Sequence, residues 1–291
     1  MKPTLVKLLS RNDLNLQRWD RAVRSAPYGL SWWLDAVTNQ RWSGLVLDDY
    51  RAVMPLPHRN SIGPFKLING APFTQHQGVF GDLQAGDLDL LLNAIPKYYH
   101  VRKLAIYPPW PATRVLKNWV STPRTNHELD LNPPYPIIAR GYRRDLRRKL
   151  RDSPVTTLAE WPIAEFLSFF QEHTGTKANL SRTDYSALKQ LTRHIITQKT
   201  GQCYHLTDDE GKTIAALVLV HHGNRIFNLL AASSHAGFGL HGMPRLLDGI
   251  IRAYAGTDTI LDFEGSDLPG VALFFQGFGA KPIEYLRISR S

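Results

Sequence analysis

Two stretches of this chain read alike, and their spacing limits what it can fold into. "WLDAVTNQRWSGLVLDDYRAVMPLPHR", residues 33–59, is patterned as helix, strand, tight turn at Asp48-Asp49 and strand. "LKQLTRHIITQKTGQCYHLTDDEGKTIAALVLVHH", residues 188–222, repeats that order with its turn at Asp209-Glu210-Gly211. The two lie just over half the chain apart. A supersecondary unit that recurs once at such an interval predicts two related domains rather than a solenoid. Between them, "TNHELDLNPPYPIIARG" carries Pro133, Pro134 and Pro136, which break regular structure. The boundary is therefore expected near residue 134, giving domains 1–134 and 135–291.

The second half can be parsed further. Helices are expected at 166–170 and 184–198, the latter from apolar positions Leu188, Leu191, Ile195 and Ile196. Strands are expected at 202–206 and 213–220, and the Gly223-Asn224 turn leads into a third at 225–232. "SSHAGFGLHG" then reads as a glycine-rich loop before a helix at 243–254. A strand at 259–263, a helix at 270–275 and a strand at 282–288 close the chain. The order α-α-β-β-β-α-β-α-β is that of an α/β domain with a mixed sheet.

Charge narrows the partners. The net charge of +10 and pI near 9.7 point to polyanions: nucleic acid, phosphorylated cofactors or an anionic membrane surface. Part of the excess is local, since "RGYRRDLRRKLR" carries seven Lys or Arg against one Asp. Helical spacing spreads Arg140, Arg143, Arg144, Arg147, Arg148 and Arg151 over one broad side. That side is either a solvated face or an anion-facing one. No run approaches the roughly eighteen apolar residues of a membrane span, so no integral membrane association is expected. The start, "MKPTLVKLLSRNDLNLQRW", lacks the pattern of a secretory leader. A single cysteine, Cys203, fits a reducing cytoplasm and reads as a small buried strand residue. His221-His222 lack a third ligand at useful spacing, so no metal is expected.

The chemistry-bearing candidates gather late in the chain. In "ILDFEGSDLPG", Asp262 and Glu264 are two apart in a strand and share one face if the alternation holds, with Ser266 continuing it. A carboxylate at a strand end beside a cleft can bind or deprotonate an amine; the alternative is that both hold the loop through backbone N–H groups or arginines. Gln75, His76 and Gln77 are polar in an apolar context, His76 reading more readily as a loop cap than as a catalyst. Of Trp32 and Trp33, one is expected in the core. "YPPWP", residues 107–111, reads as a rigid aromatic loop.

"IFNLLAASSHAGFGLHGMPRLLDGII", "LDFEGS" and "FFQGFGAKPIEYLRI" resemble the GNAT acyltransferase fold, in which a strand meander feeds a loop and helix and the sheet then splays. With "HELDLNPPYPIIARGYRRDLRRKLR" and "GAPFTQHQGVFGD", nearly the whole chain looks like the Fem-type branch: two GNAT-like domains in tandem, first described as aminoacyl-tRNA-dependent peptidyltransferases of peptidoglycan precursors. The resemblance implies an N-acyltransferase that moves an acyl or aminoacyl group from acyl-CoA or aminoacyl-tRNA to a primary amine of a small molecule or cell-wall precursor. It implies donor phosphate at Ser234, Gly237 and Gly239, an anionic part of either substrate at Arg143, Arg144 and Arg147, and the amine at Asp262 and Glu264. The chain departs from the pattern twice. Ser234 stands where the usual loop has Arg or Gln, and "SWWLDAVTNQR" has no Lys where Fem-type enzymes bind a precursor diphosphate. A rival of another class keeps the fold without catalysis and uses the basic helix to hold RNA or another polyanion.

Overall fold

The computed structural model describes residues 5–60, 65–107, 116–151, 158–175, 179–265 and 268–290. Ser266 and most of the Tyr107 to Pro111 loop lie outside them. In chain order the strands are β1 (Val6–Ser10), β2 (Trp42–Leu47), β3 (Ala52–Pro57), β4 (Arg59–Asn60), β5 (Lys66–Asn69), β6 (Phe80–Gly81), β7 (Tyr99–Ile106), β8 (Trp119–Asp130), β9 (Ala159–Glu160), β10 (Gly201–Thr207), β11 (Thr213–His222), β12 (Arg225–Ser233), β13 (Ile260–Gly265) and β14 (Lys281–Arg290). The helices are α1 (Leu16–Ala22), α2 (Ser31–Thr38), α3 (Asp87–Asn93), α4 (Tyr135–Arg140), α5 (Arg144–Arg151), α6 (Ile163–Phe170), α7 (Arg182–Thr197), α8 (His235–Gly239), α9 (Gly242–Tyr254) and α10 (Pro269–Gly277).

The chain divides into two compact units, and not by a single cut. The first holds Met1–Arg124, Ser186–Leu191 and Glu284–Ser291; the second holds Thr125–Tyr185 and Thr192–Ile283. In the first unit β1, β2, β3 and β6 form an antiparallel sheet. There β5 runs parallel to β7, which pairs with β14. Its core gathers Leu45, Met54, Leu88, Leu91, Tyr99 and Ile288. Trp33 is fully buried and its indole N–H donates to Thr74 Oγ1, so it is the core member of the tryptophan pair. His76 is buried as well, stacked on Tyr107 and edge-on to Tyr28.

The second unit carries the sheet order β8-β13-β12-β11-β10-β9. β9 to β12 are antiparallel neighbours, whereas β12 and β13 are parallel and joined through α8 and α9. Leu217, Leu219, Ile226, Leu261 and Phe263 alternate toward one face and meet Leu246, Leu247, Ile250 and Ile251 of α9. Burying that apolar stripe, at about 25 cal/mol per Å², holds α9 against the sheet. Cys203 is buried in β10, and burial pushes its thiol up to about 12. Among the described residues no helix is long and apolar enough to cross a membrane.

Two local expectations are corrected. The arginine run is not one helix from Arg140 to Arg151. Gly141 ends α4, and α5 starts after Tyr142 and Arg143. Tertiary contacts break it: the Tyr142 ring packs edge-on against Phe278, its hydroxyl donates to Asp248 on α9, and Arg143 N–H donates to Gly277 C=O. The glycine-rich loop is also partly helical. α8 spans His235–Gly239, capped by Ser234, whose Oγ accepts from Gly237 N–H at 3.1 Å.

Candidate functional site

The second unit opens where two parallel strands part. β12 pairs with β13 only through Arg225, Phe227 and the residue between them, opposite Ile260, Leu261 and Asp262. From Asn228 onward β12 keeps β11 on one side and has no registered partner on the other among the described residues. A bulge at Leu229, where the register passes from Leu219↔Asn228 to Val218↔Leu230, adds twist at that point. β13 meanwhile stays with β8, ending on Gly265↔Asn126. The result is a wedge between β12 and β13, with α8 leaving one strand end and α10 following the other.

At the apex of the wedge sits a buried ion cluster. Arg225 Nη2 contacts Asp262 Oδ2 at 2.8 Å and also pairs with Glu128. Asp262 is 1 % exposed. Its Oδ1 accepts from Asn126 Nδ2 at 3.0 Å and from Glu264 N–H at 2.9 Å. Burial pushes the Asp262 carboxyl up, against the pull of Arg225, and the nearby Glu128 charge adds to the rise. Burial also works against the Arg225 charge, but the two carboxylates outweigh it and hold the guanidinium protonated.

The expected alternation of Asp262 and Glu264 on one face is not kept. A register shift separates Asp262 from Gly265, and Glu264 takes a left-handed backbone with φ of 61°. That conformation costs an L-residue about 1–2 kcal/mol, and the Asp262–Glu264 hydrogen bond helps to fix it. The two carboxylates therefore have different positions: Asp262 is enclosed among polar partners, and Glu264 is half-buried near the end of β13.

Two buried polar groups on the α9 side of the sheet complete the surroundings. His127 of β8 is fully buried beside Phe275, and its Nε2 accepts from Gln276 Nε2 at 3.3 Å. Burial lowers its pKa. Asn228 is 7 % exposed, and its Oδ1 has no hydrogen-bond partner among the described residues.

The residues expected at donor phosphate have structural tasks of their own. Ser234 caps α8. A Cβ on Gly237 would stand 2.0 Å from Ile214 C=O, so close packing demands glycine there; around Gly239 the space is open. Arg143, Arg144, Arg147, Arg148 and Arg151 line an open groove along α5. Arg143 pairs with Asp145 at 2.9 Å, and both are substantially exposed. Leu146 anchors the opposite side of the helix in the core. Tyr135 and Tyr142 fasten the segment to α9 by donating to Asp248 Oδ1, each at 2.9 Å.

Sequence patterning brings out Asp262 and Glu264 but not Arg225, Glu128, Asn126, His127 or Asn228. The alternation Asn126, Glu128, Asp130 is a visible signal that three polar groups share one face of β8. What joins them to Arg225 is the β8-β13-β12 register, which no local pattern encodes.

No protein-family model and no curated protein sequence matches the chain. Solved structures do. FemX superposes with a TM-score of 0.65 at 13% identity, covering 96% of each chain. The C-terminal domain of an Agrobacterium fabrum protein assigned as a lysylphosphatidylglycerol synthetase gives 0.55 at 12%, covering 95% of this chain and 91% of its own. A tandem GNAT protein from the clavulanic acid biosynthesis pathway gives 0.50 at 12%, covering 98% and 97%. At such identities the likeness is one of fold. This chain has the Fem-like fold of two GNAT-like domains in tandem.

Proposed function

We propose that the chain is an N-acyltransferase that seats its donor in the wedge between β12 and β13 and passes an acyl or aminoacyl group to a primary amine. The observation that carries this reading is the parting of the parallel pair after Phe227 and Asp262, directly above a buried ion cluster. An open wedge in a sheet exposes main-chain groups that a thin, extended donor arm can satisfy.

In the transfer, the neutral amine attacks the acyl carbonyl. A C–N bond forms, and the bond to the ribose oxygen of a tRNA ester, or to the sulfur of a CoA thioester, breaks. The amine loses one proton and the leaving group gains one. Glu264 is the group we assign to the amine, as the half-buried carboxylate near the end of β13. Asp262, sealed by Arg225, Asn126 and the Glu264 N–H, is a positioning residue.

Of the two donor classes, the charge distribution supports aminoacyl-tRNA. α5 offers exposed arginines with few acidic neighbours, while the Gly237 N–H is already taken by its own cap. Arg144 and Arg147, with Arg143, would meet phosphates in this reading, and acyl-CoA is the second donor class. The enzyme would work in the cytoplasm, where both donors are made. Native mass spectrometry of the freshly purified protein tests the reading: bound tRNA or a CoA species is expected, and binding of neither added aminoacyl-tRNA nor acetyl-CoA would contradict it. RNA binding with no transfer to any amine would leave a polyanion-holding protein.

A further inference from the structure

Asn228 is out of character with its surroundings. It lies in "RIFNLLAAS", where Ile226, Phe227, Leu229 and Leu230 are all buried. Its cross-strand partner Leu219 and its strand neighbour Ile226 both belong to the apolar core under α9, so alternation places Asn228 on that face. Asparagine is depleted in strands, and a buried amide oxygen without a donor costs stability. A leucine would serve packing better. Most buried polar atoms find partners within the fold, and one that does not calls for an explanation.

Its place in the sheet gives one. Asn228 is the first residue of β12 beyond the last pairing with β13, Phe227↔Asp262. It stands where the wedge begins. We propose that Asn228 is a donor-recognition residue, its Oδ1 accepting a hydrogen bond from an N–H of the donor arm seated in the wedge. This rests on the acyltransferase reading above. An amide oxygen accepts and cannot donate, so the ligand must bring the hydrogen. An aminoacyl ester does so through its α-amino group, and the pantetheine arm of a CoA thioester through its amides. A plain hydrocarbon acyl chain brings none. The side chain thus favours a donor with a nitrogen along the arm.

The test uses the full chain and Asn228→Leu. In the ligand-free state the leucine variant is expected to melt at the same temperature as wild type or a few degrees above it. Binding is then measured with coenzyme A, unfractionated aminoacyl-tRNA and deacylated tRNA. A tenfold or greater loss for coenzyme A assigns the pantetheine amides. A similar loss for aminoacyl-tRNA, with deacylated tRNA unchanged, assigns the α-amino group. Should leucine not fit, Asn228→Val is smaller, favours strands and makes the same comparison. Wild-type binding that the variant retains within twofold would overturn the assignment alone, as would a clear fall in melting temperature with binding intact. A wild type that binds none of the probes would overturn the acyltransferase reading and this assignment with it.

Discussion

Arg225 and Glu264 show how single side chains shape the site. Removing Arg225 as Arg225→Met would take away the guanidinium that Asp262 and Glu128 share. The expected loss is about 3–5 kcal/mol, as for other broken buried pairs, read from urea unfolding. Glu264 should behave in the opposite sense. Glu264→Gly relieves the left-handed backbone and should raise stability by up to about 1 kcal/mol, allowing for the freer unfolded chain. Glu264→Gln keeps the shape and removes the charge, so turnover should fall about a hundredfold with an unchanged unfolding midpoint. Strain retained at a residue that turnover needs is the mark of a functional position; full activity in Glu264→Gln would make it structural. In the first unit, His58 gives a pH signature. Burial, with Lys66 and Arg41 nearby, lowers its pKa to about 4. The unfolded chain, titrating near 6.5, then binds the proton more strongly. Stability from this group is present above pH 6.5 and is lost as pH falls toward 4. His58→Gln should flatten part of that acid limb in melting temperature, and an identical limb would refute the assignment.

At the level of elements, α8 tests whether its glycines pack or bind. Gly237→Ala drives a methyl into Ile214 C=O and should cost about 1–3 kcal/mol, as overpacking does. Ser234→Ala should cost about 1 kcal/mol through removal of the cap. If both instead keep full stability and lose donor affinity, the segment binds phosphate as the family resemblance implied. Most of these elements are legible in the sequence. α7, α9 and β10 to β14 fall within a few residues of their patterned positions, because hydrophobic periodicity is local. α8 is not legible as a helix. Two glycines in five residues argue against one, and the decision comes from the Ser234 cap and packing on β11. The break between α4 and α5 is hidden for the same reason, since Asp248 and Phe278 lie about a hundred or more positions from Tyr142. At the site, the late carboxylates stand out in sequence, but the positive φ that separates their roles does not.

For the whole molecule, charge and division into units are the relevant properties. If α5 meets a polyanion, the triple change Arg144→Ala, Arg147→Ala and Arg148→Ala should reduce the slope of log affinity against log salt for tRNA. The expected reduction is about 0.7–0.9 for each phosphate that the helix no longer neutralises. An unchanged slope would return this face to solvent. The internal repeat in the sequence predicts two related domains; the assignment of Ser186–Leu191 and Glu284–Ser291 to the first of the two compact units rests on long-range packing that no local pattern carries. The central claim, that the β12–β13 wedge holds the donor, is open to one direct measurement. Ala231 lies on β12 past the point of parting and is only partly buried against the core. Ala231→Phe places a large ring beside the wedge on the α9 face, where overpacking should cost about 1–3 kcal/mol and leave the variant folded. Equilibrium binding of aminoacyl-tRNA and acetyl-CoA is then compared with wild type. The account predicts that wild type binds at least one donor and that Ala231→Phe binds it at least tenfold more weakly; equal binding by the folded variant, or no binding by wild type, would contradict it.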